Sequence, residues 1–228
     1  MSRACQGDPT DLPVRLCAAI SHCLTMDGAA ISLLTDSVYA QFLGASHPAA
    51  LQLENVQFAV SEGPGVTAAA TGQPVIVPDL HHVVTPWPFF GSLAREQLRD
   101  VGAIYALPLM IGGNTVGTVT LFRHEPGRPA TDLAELSDIA LVTATGFLWS
   151  AFQPLTGTGE LPPWEPTSVL AAHWGAAHCA AGALAEQEGI TAEDALARIR
   201  GRAFASDRTV PEVSADIISA PPDPRSSA

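Results

Sequence analysis

The 228-residue sequence contains no lysine, so its eleven basic residues are all arginine and stand against 23 acidic residues, for a net charge of −12. Such an acidic chain is a poor general binder of polyanions, because phosphate contacts depend on clustered lysine and arginine. Any contact with nucleic acid is therefore expected to be confined to one local surface.

Metal and membrane signals are also missing. The four cysteines form no CxxC or Cys/His spacing, so neither a metal nor a cofactor is predicted and reduced thiols are expected. The longest apolar stretch, residues 139–152, is interrupted by threonine and glycine and is too short to span a bilayer. No signal-peptide pattern opens the chain. We expect a cytoplasmic protein.

Catalytic signatures are equally scarce. The sequence has no GxSxG, HExxH or paired-carboxylate pattern. No cysteine occurs between Asp27 and His178, so a thiolate nucleophile and a cysteine-anchored bilin are both excluded from that region. We therefore predict no catalytic residues and a non-enzymatic role.

What the chain does contain is a core-forming composition, with 47% hydrophobic and 15% charged residues. Residues 153–166 (QPLTGTGELPPWEP) break both helices and strands, and are predicted to be a linker. Residues 1–10 are predicted to be a flexible N-terminus and residues 220–228 a disordered tail. This leaves a body at residues 11–152 and a module at residues 167–219.

The body alternates helical and strand patterns and predicts an α+β domain around one antiparallel sheet. Helices are predicted at residues 11–26, 48–60, 66–71, 92–100 and 131–152, and strands at residues 28–35, 38–44, 74–77, 103–110 and 115–123. Residues 35–37 and 112–114 are typical of hairpin turns. Residues 81–91 are predicted to form a loop.

The module is predicted to be an all-α bundle of three helices. The first begins at a Thr167/Ser168 cap and ends at Gly189, a typical residue after a helix. Capping-box patterns at residues 191–194 and 209–212 begin the other two. The predicted buried stripe of the second comprises Ala192, Ala195, Leu196, Ile199, Ala203 and Phe204, and that of the third comprises Val210, Val213 and Ile217.

The body resembles a GAF sensor domain of the actinobacterial type. The matching pieces, in order, are residues 28–34 (GAAISLL), 61–65 (SEGPG), 72–75 (GQPV), 79–80 (DL), 87–88 (WP), 101–103 (VGA), 106–109 (ALPL) and 116–121 (VGTVTL). This resemblance implies a GAF-like antiparallel sheet flanked by helices and a role in signal sensing.

The module resembles an ANTAR domain, through residues 180–182 (AAG), 189–200 (GITAEDALARIR) and 212–218 (EVSADII). This resemblance implies a dimeric regulator that binds RNA stem-loops in a nascent transcript and promotes transcription antitermination. The match departs from the common pattern around Gly182, where basic or amide neighbours are replaced by Cys179, Ala181 and Ala183.

The candidate RNA-binding residues are Arg198, Arg202, Arg200, Arg208, Trp174 and His178. Arg198 and Arg202 are four positions apart and share a helix face, whereas Arg200 points away. Arginine and aromatic side chains are the groups that read RNA loops. The alternative for Arg198 is an ion pair with Asp194 on a solvated face.

The module also permits a second hypothesis, because its four arginines are outnumbered by seven acidic residues between positions 167 and 220. The chain would then be a signalling adaptor whose C-terminal helices serve dimerisation or protein docking. Gly182 is explained either by close packing against a neighbouring helix or by close approach of RNA or a dimer partner.

Candidate residues for a small-molecule pocket lie in the loop at residues 81–91. They are Trp87, His81, His82 and Phe89, with Trp87 and Phe89 expected to close or fill the cavity. Two adjacent histidines cannot both face one metal from an extended segment, so solvated histidines are expected. The Gly63-Pro64-Gly65 turn could offer N–H groups to an anion, but a purely structural turn is the favoured interpretation.

Overall fold

The computed structural model describes residues 11–34, 40–129, 132, 135–138, 142 and 174–219. The chain divides into two compact units, Met1–Glu165 and Pro166–Ala228. The predicted N-terminal segment, linker and tail, and most of the predicted helix at residues 131–152, lie outside the described residues. Residues 135–138 of that helix are described and are helical.

The first unit is built around one antiparallel sheet. Its elements, in chain order, are α1 (Leu12–Cys23), β1 (Gly28–Leu34), β2 (Ala40–Ala45), α2 (Pro48–Val60), α3 (Pro64–Thr71), β3 (Val75–Val77), α4 (Pro88–Gln97), β4 (Ala103–Ile111) and β5 (Asn114–Arg123). The strand order is β2-β1-β5-β4-β3. The predicted α+β class around one antiparallel sheet is confirmed.

The two strand pairs predicted as hairpins are both antiparallel neighbours in the sheet. In the β4–β5 pair, Ile111 faces Asn114 across Gly112 and Gly113. Both glycines have positive φ, 58° and 85°, the backbone form that twists a two-residue turn in the same sense as the strands. β1 and β2 also pair, although residues 35–39 between them lie outside the described part.

Three helices pack against the sheet, and two of them, α2 and α3, reach its central strand β5. α1 contacts β1 and β2, α2 contacts β1, β2 and β5, and α3 contacts β3, β4 and β5. α4 packs on α2. The fully buried aromatic side chains come from the sheet and from a helix: they are Tyr105 of β4, Phe122 of β5 and Phe90 of α4. Tyr105 pairs with Leu121, the neighbour of Phe122 in β5, so Tyr105 and Phe122 lie on opposite faces and the core covers both sides of the sheet.

Helix boundaries differ from the predictions at three places, the first being α1, which ends at Cys23 rather than at residue 26. α4 begins at Pro88, inside the segment predicted to be a loop, and ends at Gln97. Proline is well suited to the first turn of a helix, and a distant carboxylate caps this one, as described below. α3 begins at Pro64 rather than at residue 66, for the same steric reason.

Residues 174–219, the described part of the second unit, contain three helices, α5 (Ala176–Glu188), α6 (Ala192–Ala205) and α7 (Val210–Ser219). The predicted start of its first helix lies outside the described residues. Gly189 ends α5 with φ 65°, and the N–H of Asp194 donates to Thr191 Oγ1 at the start of α6. Glu212 and Thr209 form the reciprocal capping box of α7. The predicted three-helix region is confirmed.

Two residues of the predicted buried stripe of α6 are not buried. Ala192 is exposed and Phe204 is 69% exposed, whereas Ala195, Leu196, Ile199 and Ala203 are buried. Both corrected residues lie in the terminal turns of α6, beyond the part that α5 and α7 cover. Within the described part of the chain, no helix is both long enough and apolar enough to cross a membrane.

Candidate functional site

One face of the sheet carries three buried hydroxyl groups near its centre. Ser32 on β1 pairs with Thr118 on β5, and Ala30 pairs with Thr120. Because side chains alternate along a strand and paired residues share a face, all three hydroxyl residues lie on the same side of the sheet. Each is at most 5% exposed. The sheet therefore presents a polar patch within an apolar core.

Glu54 and Gln57 of α2 complete this buried polar cluster. Ser32 Oγ donates to Glu54 Oε2 over 2.9 Å, and Gln57 Nε2 donates to Glu54 Oε1 over 2.9 Å. Glu54 is 4% exposed and Gln57 is 2% exposed. Both carboxylate oxygens thus receive a hydrogen bond, which partly offsets the cost of removing the group from water.

Burial dominates the electrostatics of Glu54 and raises the pKa of its carboxyl, while hydrogen bonds from Thr120, Ser32 and Gln57 oppose that rise. Thr120 Oγ1 faces the carboxyl, yet it lacks a partner at full hydrogen-bond geometry among the described residues. A protonated carboxyl could donate to this oxygen, whereas an ionised one could accept from it. The cluster can therefore accommodate either protonation state.

Gln57 also connects the cluster to the start of α3. The N–H of Gly65 donates to Gln57 Oε1 over 2.6 Å. A Cβ at Gly65 would lie 3.0–3.1 Å from the Gln57 amide atoms and Thr120 Oγ1, so glycine permits this close approach. The N–H of Gly65 is used internally rather than offered to an anion, in agreement with a structural turn.

The loop residues predicted to line a pocket differ from one another in burial and in the groups that they contact. Trp87 Nε1 donates to Thr67 Oγ1 over 2.8 Å, so the indole lies against α3. The side chain of His82 is 83% exposed and contacts Asp79. The hydrogen bond from His82 is the main cause that lowers the pKa of Asp79. His82 is therefore a solvated histidine, as expected.

The other two loop residues, His81 and Phe89, also differ from each other in burial. His81 is partly buried, and its Nε2 has no hydrogen-bond partner among the described residues, so the expectation of a solvated histidine is wrong for His81. Phe89 is 55% exposed, so of its two expected roles, closing or filling a cavity, filling is wrong. The neighbouring Phe90 is fully buried and stacks edge-on with Trp87, with ring centroids 5.9 Å apart. Helical geometry turns Phe90 inward and Phe89 outward.

Glu62 explains why α4 begins where it does. Its Oε2 accepts hydrogen bonds from the N–H groups of Phe89 and Phe90, over 3.0 Å and 3.2 Å. A carboxylate at a helix N-terminus satisfies otherwise unpaired donors and meets the positive end of the helix dipole. Glu62 therefore links the turn before α3 to the first turn of α4.

Cys17 of α1 is a buried cysteine that is influenced by the charge of Glu54. It is fully buried, and its Sγ donates to the carbonyl of Gly44 over 3.3 Å. Burial, with a smaller contribution from Glu54, raises the pKa of the thiol. Cys17 is thus a protonated thiol rather than a thiolate. The described residues contain no group of three or more His, Cys, Asp or Glu that could hold a metal ion.

In the second unit, Arg198 and Arg202 of α6 converge on one carboxylate, that of Glu188 at the end of α5. Arg198 Nη1 contacts Glu188 Oε2, and Arg202 Nη2 lies 3.6 Å from Glu188 Oε1. Both arginine side chains are 52% exposed. The alternative partner considered for Arg198, Asp194, instead accepts a hydrogen bond from Thr191 Oγ1 over 2.8 Å.

The other two candidate arginines lie elsewhere. Arg208 Nη1 donates to Asp216 Oδ2 over 2.6 Å, and its Nη2 donates to the carbonyl of Glu212. This pairing raises the pKa of Arg208 and lowers that of Asp216. Arg200 lies near His178, whose pKa is lowered first by burial and then by this positive neighbour. The four arginines therefore do not form one basic surface.

The position of Trp174 disagrees with its predicted role in stacking on RNA bases. The side chain is 4% exposed. An indole buried to this degree contributes to packing and is not presented to a base. The prediction for Trp174 as an exposed contact is therefore corrected: the residue is part of the core in this conformation.

Gly182 lies on the exposed side of α5. No atom of another described element lies within 4 Å of the position that a Cβ would occupy. Close packing against a neighbouring helix, one of the two explanations above, is therefore wrong within the described residues. The smooth surface at Gly182 is open to approach from outside the module.

A model of the GAF domain matches residues 7–146 of the chain, which is more than half of its length. The chain belongs to the GAF domain family. This family consists mainly of regulatory sensor domains, so signal sensing is the function that residues 7–146 support. The match does not extend to α5, α6 or α7. A search of curated proteins gave no match.

Solved structures similar to this GAF domain come from several bacteria. A domain of a two-component sensor histidine kinase protein from Sinorhizobium meliloti is 18% identical, covers 65% of this chain and 96% of its own, and has a TM-score of 0.49. A free methionine-R-sulfoxide reductase from Neisseria meningitidis is 15% identical, with coverages of 65% and 86% and a TM-score of 0.44. NreA from Staphylococcus aureus, mutated in its nitrate-binding site, is 16% identical, with coverages of 53% and 88% and a TM-score of 0.39.

The polar cluster of this GAF domain was missed by sequence reasoning, although a signal was present. Within α2, Ala50, Leu53, Glu54 and Gln57 are all buried, at spacings of three and four residues. Glu54 and Gln57 thus fall on the same stripe as the apolar residues. A charged and an amide side chain on an apolar stripe indicate a buried polar site.

Proposed function

We propose that this chain is a signal-responsive regulator of gene expression, in which the GAF domain senses a signal and the C-terminal helices bind RNA stem-loops. Binding would favour antitermination in a nascent transcript, as the ANTAR resemblance of the module implies. The observation that carries the proposal is the pair Arg198 and Arg202 of α6, which are half-exposed and both face the carboxylate of Glu188.

Several features of the module support an RNA-facing role for this pair. Each guanidinium group can contact two phosphate oxygens in a bidentate manner. The capping boxes of α6 and α7 fix the start of both helices, so the arginines are carried on a defined scaffold. A homodimer would present two such pairs to two stem-loops.

Control by the GAF domain is proposed to be a shift between populations of two states. A signal that binds one state of the sensor more tightly shifts the chain toward that state by the ratio of the two affinities. The polar cluster around Glu54 is the part of the sensor interior where a polar signal would find hydrogen-bonding groups. An unidentified small molecule is thus the proposed partner of the sensor.

The test is filter binding of the full chain to an RNA with two tandem stem-loops, over a series of salt concentrations. Replacing both Arg198 and Arg202 with alanine is expected to lower the affinity. It should also reduce the slope of log K against log salt by about 0.7–0.9 for each phosphate that the protein no longer neutralises. Arg95→Ala, an exposed change on α4, is the control. Unchanged affinity and slope in the double variant would rule out these residues as RNA contacts.

A second candidate function is a signalling adaptor whose C-terminal helices dimerise or dock a protein. Two observations favour it: Phe204 and Ile218 are 69% and 50% exposed, and carboxylates already face Arg198, Arg202 and Arg208. The molar mass in solution, measured by light scattering, separates the two functions when combined with filter binding at low salt. A demonstrated dimer that retains no RNA would favour the adaptor.

A further inference from the structure

Glu188 occupies an unusual place for an acidic residue. It is the last residue of α5, where the unpaired carbonyl groups give the helix end a negative partial charge. A carboxylate is unfavourable at this position unless cations lie nearby. Gly189 then turns the chain toward α6 with φ 65°, and this turn places Glu188 beside the basic face of α6. Helix stability alone therefore does not account for glutamate here.

The carboxylate of Glu188 is shared between two arginines. Its Oε2 contacts Arg198 and its Oε1 lies 3.6 Å from Arg202, so one oxygen is directed to each guanidinium group. Two phosphate oxygens approaching the same pair would need the same two positions. The glutamate carboxylate thus fills the position, and supplies the negative charge, that a phosphate group would provide.

This contact is weak enough to be displaced. The Glu188 side chain is 30% exposed and both arginine side chains are 52% exposed. Ion pairs in such surroundings are screened by solvent and contribute little stability. A phosphate in a nucleic acid competes well, because bidentate contacts with arginine are strong and bound counterions are released.

We propose that Glu188 is an intramolecular competitor of RNA phosphate, which holds Arg198 and Arg202 in the free protein and lowers the affinity of the module for RNA. This inference rests on the proposed RNA-binding function. It explains how a module with more acidic than basic residues restricts its binding: the two exposed arginines become available only to a ligand that displaces the carboxylate.

The experiment compares Glu188→Gln with Glu186→Gln in the full chain. Both changes remove one negative charge from α5, but only Glu188 contacts the two arginines. With an RNA of two tandem stem-loops at low salt, Glu188→Gln is expected to raise the affinity about two- to fivefold, a range set by the modest strength of exposed pairs. Glu186→Gln is expected to change it less than twofold. Equal helical circular dichroism verifies that both variants fold.

The arginines provide a second comparison. When Arg198 and Arg202 are both alanine, Glu188→Gln should raise the affinity no more than Glu186→Gln does, because no cation remains to be released. The slope of log K against log salt should be the same for the wild type and Glu188→Gln, since the same phosphates are contacted.

The possible failures are distinguishable. If RNA binding depends on the arginines but Glu188→Gln and Glu186→Gln behave alike, the competitor role is overturned and the RNA function stands. If neither the wild type nor Glu188→Gln retains RNA, both proposals are overturned. RNA binding that appears only in Glu188→Gln would support the competitor role in its strongest form.

Discussion

Replacing Glu54 with glutamine tests whether the sensor interior carries a carboxyl group whose ionised form is destabilised by burial. Burial raises the pKa of this carboxyl in the folded protein, above the value of about 4.3 for an exposed glutamate. Between these two pKa values the folded chain holds a proton that the unfolded chain has released. The contribution of this carboxyl to stability then falls as the pH rises, because the folded state holds its proton more tightly than the unfolded state does.

Proton linkage limits how steeply the stability can change with pH. One group can change the free energy of unfolding by at most about 1.4 kcal/mol per pH unit. Glutamine has no charge and lacks this dependence. It also fits the hydrogen-bond pattern, because its oxygen can accept from Gln57 and its amide can donate to the Ser32 hydroxyl with the direction of that bond reversed. We therefore expect an intrinsic cost of at most about 1 kcal/mol for Glu54→Gln.

The assay is urea unfolding of the full chain at several pH values between 4 and 8, followed by circular dichroism. The unfolding free energy of Glu54→Gln minus that of the wild type should increase with pH from about 4.3 toward neutrality. Glu96→Gln, an exposed change on α4, should show no such trend. A difference for Glu54→Gln that stays flat, or that decreases with pH, would refute the assignment of a destabilised buried carboxyl.

Three further changes test the contacts that begin the helices of the sensor. Glu62→Ala removes the acceptor for two N–H groups of α4 and should cost about 1–2 kcal/mol in urea unfolding, with Glu96→Ala near zero as the control. His47 Nδ1 accepts from the N–H of Ala49 at the start of α2, so His47→Ala should cost about 1 kcal/mol, and a smaller loss for His47→Asn would show that the cap is responsible. Gly65→Ala should lower the melting temperature, since crowding by the new Cβ costs about 1–3 kcal/mol and outweighs the gain of up to about 1 kcal/mol in helix propensity; an unchanged or higher value would contradict tight packing there.

Sequence patterns were sufficient for the sheet and most helices, because those elements depend on local rules. The Gly112-Gly113 turn joins two apolar runs, and it predicted the β4–β5 hairpin with boundaries within one residue. The two capping boxes of the module likewise mark the true starts of α6 and α7. In each case the signal and the structure it specifies lie within a few residues of each other.

The start of α4 could not be predicted in this way. Pro86, Trp87 and Pro88 indicate a loop by composition, yet the helix begins within that segment. The cap comes from Glu62, which lies 27 residues before Phe89. No local pattern contains the information that this carboxylate will meet these N–H groups, because only the packing of the helices brings them together.

The position of the buried polar cluster shows a related limit. Ser32, Thr118 and Thr120 are unremarkable residues in strands, where threonine is common. They become a site only because the β1–β5 register places them together and α2 supplies Glu54 above them. The stripe of α2 could have revealed a buried carboxyl, but its partners depend on strand pairing.

Arg198 has two candidate acidic partners, Asp194 and Glu188, and the helix cap decides which of them it contacts. Asp194, four residues earlier on the same helix, satisfies the spacing for an ion pair, and Glu188 is ten residues away on another helix. Asp194 is also the last residue of the capping box, however, and its carboxylate accepts from Thr191 Oγ1. The cap therefore occupies the nearer acidic group, and the turn at Gly189 brings the more distant one to the arginine. An acidic residue at the third position of a helix should accordingly be assigned to the cap before it is assigned to an ion pair.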